Sequence, residues 1–133
     1  MKHWKSFYPN CEGSSAVEFA VAAPVILLML FGILQLGVLF EARTGLKFAI
    51  DESARYAMIY PRPDDASIIK RFQDKQFGLV PSSLSTSIAH GTNADGDYAD
   101  ISAKYIVDVN FIFFRAPALH LAETRRAFQN TAQ

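Results

Sequence analysis

Residues Phe19–Phe40 read F-A-V-A-A-P-V-I-L-L-M-L-F-G-I-L-Q-L-G-V-L-F, and the only strongly polar side chain among them is Gln35. At a rise of about 1.5 Å per residue, roughly 22 residues make a helix of about 33 Å, long enough to cross a hydrocarbon core of about 30 Å. The apolar part of a cleaved secretory signal is shorter, about 7–15 residues, and closes on a small-residue cleavage site. Here the run closes on Leu39-Phe40-Glu41-Ala42-Arg43 instead. It therefore reads as a single membrane-spanning helix, with the lipid bilayer as its first partner.

Bulk composition hides this feature. The hydrophobic fraction of 50% in 133 residues is ordinary for one soluble domain, so the distribution rather than the total carries the membrane reading. Thirteen basic and 13 acidic residues cancel, and no basic cluster stands out, which argues against nucleic acid as a partner. The single cysteine, Cys11, can form neither an intrachain disulfide nor a multi-cysteine metal site.

Beyond the apolar run the helical pattern continues. Ala42, Leu46, Ala49, Ile50, Ser53, Ala54 and Ala57 recur at three- and four-residue steps, with Glu41, Arg43, Lys47, Asp51 and Glu52 mostly between them. One helix is expected from about Ser15 to Met58, stopped by Pro61 and Pro63. Asp64 or Asp65 then caps a short helix whose apolar side is Ile68, Ile69 and Phe72, ending near Gly78. From Pro81 the period becomes two: Leu84, Thr86 and Ile88 alternate with serines, and Gly91 to Asp97 supply a turn. Ile101, Ala103, Tyr105, Val107, Val109, Phe111 and Phe113 form the clearest strand, broken at Pro117. Leu119 to Phe128 fits strand or helix by pattern alone. A third strand there would complete a small sheet, because two strands are marginal in water. The expected fold is α+β: a long N-terminal helix, half in the membrane and half packed on a three-stranded antiparallel sheet. Its segments are a polar leader (1–13), the helix (14–60, spanning at 19–40) and a helix-and-sheet domain (61–133).

Immediately before the apolar run stands Gly13-Ser14-Ser15-Ala16-Val17-Glu18-Phe19. This junction resembles a prepilin signal, in which a membrane peptidase cuts after the glycine and leaves a glutamate as the fifth residue of the mature chain. The resemblance gives Gly13 and Ser14 as the cleavage site, with Glu18 and Phe19 just inside the new N-terminus. A carboxylate at the edge of a membrane helix is unfavourable without a partner. Cleavage would create an ammonium at Ser14, and in a bundle of parallel helices one subunit's amine can meet the next subunit's Glu18. An axial slip would then leave both charges unpaired in low dielectric. Each residue also has a plain explanation, Glu18 as a first-turn acid facing the helix dipole and Gly13 as a flexible joint. Their position at the head of a membrane span favours the functional reading. Loss of the leader would also remove Cys11, leaving a cysteine-free chain suited to an oxidising compartment.

The sequence from Gly13 through the apolar run, then Ala42-Arg43 and later Glu52-Ser53-Ala54-Arg55-Tyr56-Ala57, resembles the TadE-like proteins of tight-adherence pilus systems. Pro24, the pair Gly32 and Gly37, and Arg55-Tyr56-Ala57 are particular echoes. Gln35 departs from the glutamate many members carry. The resemblance implies a minor pilin or pseudopilin, cut by a prepilin peptidase, held in the bacterial inner membrane and assembled with other pilins; related TadF proteins share the layout. It also implies a cytoplasmic leader and a periplasmic C-terminal domain, with later incorporation into an extracellular pilus as a further stage. Positive charge does not decide orientation, since Lys2 and Lys5 precede the span while Arg43, Lys47 and Arg55 follow it.

Structural explanations stand beside these echoes. Pro24 is tolerated in a membrane helix, and Gly32 and Gly37 are common membrane residues or points of close helix approach. Ala16 and Ala20 have small-xxx-small spacing, Gln35 can bond a partner helix, and Arg55 with Tyr56 reads as helix–sheet packing and capping. No catalytic constellation is apparent, so neither enzyme activity nor a cofactor is expected. His3, His90 and His120 lack ligand spacing. Asn93, Asp95 and Asp97 echo a calcium loop, but Gly96 precedes Asp97 and Lys104 occupies the closing acidic position, which favours a turn. The competing class is an uncleaved, membrane-anchored binding or regulatory domain. In either class an edge strand around Ser102 to Asn110 would offer a recognition surface.

Overall fold

In the computed structural model, which describes residues 12–108 and 117–129, a helix α1 occupies Glu12–Ala57. The leader positions 1–11, with His3 and Cys11, and the strand positions Val109, Phe111 and Phe113 lie outside the described residues. The chain divides into two units, Met1–Leu34 and Gln35–Gln133.

The described part of the first unit is helix throughout and has no core of its own. Val17 is 64% exposed, Phe19 and Val21 are each 70% exposed and Met29 is 65% exposed. Apolar side chains on every side of a helix are the pattern of a segment whose surroundings are themselves apolar.

The second unit holds the rest of α1, a short helix α2 (Asp65–Lys75), one 3₁₀ turn (Pro81–Ser83) and strands β1 (Leu84–Asn93), β2 (Gly96–Val107) and β3 (Leu119–Gln129). The strands form an antiparallel sheet in the order β1-β2-β3, giving the α+β arrangement. Ala42, Leu46, Ala49, Ile50, Ala54 and Ala57 are buried on one stripe of α1. That stripe packs with Ile68 and Phe72 of α2 and with Ile101, Ala103, Tyr105 and Val107 of β2. Each fully buried large aliphatic or aromatic side chain contributes about 1.5–3 kcal/mol. Ser53 is also buried, and its hydroxyl donates back to the Ala49 carbonyl at 2.7 Å, which relieves the polar group.

Register assigns the two faces of the sheet. Leu84 opposes Tyr105, Tyr105 opposes Leu121 and Ala99 opposes Ala127 on the core side. Asp100 opposes Arg126 and Ser102 opposes Thr124 on the other side. There Arg126 holds Asp100 through two bonds of 2.7 Å and lies 3.9 Å over the Tyr98 ring.

Several expectations need correction. The turn is tighter than Gly91 to Asp97, because β1 continues through Gly91 to Asn93 and pairs with Gly96. Ala94 and Asp95 turn the chain, Gly96 takes φ +120°, and the Asn93 side chain accepts the Asp95 N–H at 3.0 Å. The short helix ends at Lys75, and Gly78, with φ +65°, lies in the loop beyond it. Leu119 to Phe128 is a strand. Ser102 to Val107 belongs to β2, the middle of the sheet, so the edge strands are β1 and β3. The outer side of β2 is closed because the segment after Pro117 pairs there. Tyr56 packs against the core and meets Arg71 of α2, with the guanidinium 5.9 Å from the ring centre, while the exposed Arg55 pairs with Glu52 within α1 itself.

Candidate functional site

Gly13 and Ser14 lie in the first turn of α1, where backbone N–H groups lack intrahelical partners. One turn on, Glu18 is exposed, and its Oε1 accepts the Ser14 hydroxyl at 3.3 Å. A shallow strip formed by Val17, Val21, Ala22, Val25 and Ile26 adjoins the carboxylate. Among the described residues, then, a carboxyl group stands at the head of an apolar helix with the Ser14 hydroxyl as a local partner. Such an arrangement offers a carboxyl group to a cation arriving along the helix surface.

Phe19 is exposed beside Glu18. Pro24 lies inside the helix and lacks the N–H that would reach Ala20, yet the helix continues through it. Gly32 and Gly37 face open space, with nothing within 4 Å of where a Cβ would stand. Gln35 is half-buried. The structure brings Ser14 and Glu18 together and strings the remaining expected positions along α1 without gathering them.

The second unit contains polar contacts that sequence spacing could not reveal, because they join distant segments. Asp51 of α1 pairs with Arg125 of β3. His90 of β1 contacts Asp65 at 2.9 Å through Nε2 and Arg62 at 2.9 Å through Nδ1, tying β1 to the start of α2. The Arg126 guanidinium holds the Asp100 carboxyl below its ordinary value of 3.8, and Asp100 in turn raises Arg126. Hydrogen bonding by Ser67 likewise lowers Asp64 at the head of α2, and Asp51 raises Arg125. At Gly45 an added Cβ would stand 1.9 Å from the Phe77 carbonyl oxygen, so α1 and the loop after α2 touch through backbone. These contacts organise the domain rather than a reaction.

Among the described residues, one helix is long and apolar enough to cross a membrane, with its candidate span within Gly13–Ala57 of α1. No curated protein and no solved structure matches the chain. Residues 13–55, which hold Gly13, Glu18 and the whole apolar run, are similar to the family whose model is described as TadE-like protein.

Proposed function

We propose that the protein is a minor pilin or pseudopilin of a tight-adherence pilus system, cut after Gly13 by a prepilin peptidase and assembled through α1. The observation that carries this reading is Glu18, an exposed carboxylate five residues beyond Gly13 at the head of an exposed apolar helix. In this reading the protein starts in the inner membrane with its leader in the cytoplasm and its sheet domain in the periplasm. Cleavage converts the Ser14 nitrogen into an ammonium. The Glu18 carboxylate of a neighbouring helix neutralises it, so subunits pack in one axial register because a slip strands both charges in low dielectric. Phe19, Pro24, Gly32, Gln35 and Gly37 are separate positions along α1 at which other pilins pack. The family match supports the pilus setting.

Replacing Glu18 by Ala in cells that build the pilus tests the register role. The variant is expected to reach the membrane at normal level while its incorporation into the assembly falls roughly tenfold or more. Normal incorporation would remove Glu18 from the mechanism.

A further inference from the structure

Strand β1 pairs with β2 from Leu84 through Asn93 and with no other strand among the described residues. In an antiparallel ladder alternate residues turn their N–H and C=O groups away from the paired strand, so among the described residues the outer side of β1 is a row of donors and acceptors that no strand uses. Proteins ordinarily guard such an edge with charge, proline or a bulge. From Leu84 to Asn93 there is no Lys, Arg, Asp, Glu or Pro, and the pairing with β2 is unbroken. The opposite edge, β3, carries Glu123, Arg125 and Arg126.

Two further observations concern the space beside β1. A groove between the strand and α2 is lined by Ile69, Gln73, Gln76, Pro81, Leu84 and Thr86, none of them charged. Oε1 of Gln76, one of the lining residues, is shielded from solvent and accepts no hydrogen bond from the described residues. An acceptor buried in this way is unfavourable, and a turn of the terminal amide would let it meet an incoming donor. Side chains of a strand added to β1 would neighbour Leu84 and Thr86 on the same face, which directs alternate residues into the groove.

We infer that β1 accepts an added β-strand from an extended, uncharged segment of a partner protein. Small or apolar side chains at alternate positions enter the groove beside Ile69 and Leu84, and a hydrogen-bond donor reaches Gln76. Main-chain bonds supply the affinity and the groove supplies the selection. The segment is uncharged because no groove residue offers a counter-charge, and a buried charge without one is strongly disfavoured. The same argument sets aside the β3 edge of a second copy, which would bring Glu123 toward the groove. This surface does not depend on cleavage after Gly13 or on the pilus reading.

Backbone amide exchange on the full chain in detergent micelles tests the inference, with and without a capped, uncharged peptide of alternating threonine and valine. The peptide is expected to slow exchange at alternate β1 amides and to leave β3 unchanged. Thr86→Lys is expected to weaken peptide binding by roughly tenfold or more while preserving protection in β2 and β3. Gln73→Lys, on the exposed side of α2, makes the same test should the first variant fail to fold. Unchanged β1 exchange, equal slowing at β3, or full binding by a folded lysine variant would overturn the inference. So would protection of β1 that rises with protein concentration without peptide, which would identify a second copy as the occupant.

Discussion

The first unit and the second unit use the same kinds of apolar residue in opposite ways. In residues 13–34 Val, Leu, Ile and Phe are exposed along the helix, whereas in the second unit Leu46, Ile50, Phe72 and Ile101 converge on a closed core. Burial of apolar area is the main favourable term in folding, so the second unit has a core that stabilises it and the apolar side chains of the first must be satisfied elsewhere. A bilayer, or a bundle of similar helices, is what an apolar helix without a core requires. The position of Glu18 adds specificity, because lipid alone offers a carboxylate nothing.

The contrast breaks most sharply at aromatic positions. Phe72→Ala removes a fully buried ring and is expected to destabilise the folded domain by about 3–5 kcal/mol. Phe31→Ala, in the first unit, should leave the domain's unfolding unchanged. Denaturant unfolding of the full chain in micelles, followed by tyrosine fluorescence, compares the two. Equal losses would mean that the first unit contributes to the domain's core.

Glycines sharpen the comparison on a smaller scale. A Cβ at Gly45 meets the Phe77 carbonyl, which must move, so Gly45→Ala is expected to cost about 1–3 kcal/mol in the same unfolding measurement. Gly32 faces open space, and Gly32→Ala should leave folding unharmed, since alanine favours helix over glycine by about 0.5–1 kcal/mol. If Gly32→Ala nevertheless hinders assembly in cells, a neighbouring helix approaches α1 at that point. If it alters neither property, Gly32 is an ordinary membrane residue.

Much of this organisation was legible in the sequence. The three- and four-residue spacing from Ala42 to Ala57 identified the core stripe of α1, because a helix packed on one side records that side in its sequence. The alternation from Ile101 to Val107 identified β2 for the same reason. Strand β3 was obscure because only Ala127 and Gln129 are buried among its residues, so an edge strand with charged neighbours carries a weak period. That obscurity also hid which strand lies in the middle, since β2 becomes central only once the last segment pairs with it. The tight turn at Ala94-Asp95 was blurred by an excess of turn-forming residues around it. Long-range pairs such as Asp51–Arg125, and the groove at Gln76, leave no local signal because they arise from tertiary packing. At the N-terminal site the reverse holds. Gly13, Glu18 and the apolar run are adjacent in sequence, and a single helix changes their relation very little.

Intact mass spectrometry of the protein purified from its native membrane tests the central claim most directly. The account predicts a chain beginning at Ser14, with residues 1–13 removed. A mature protein that retains Met1 while the pilus is built normally would contradict it.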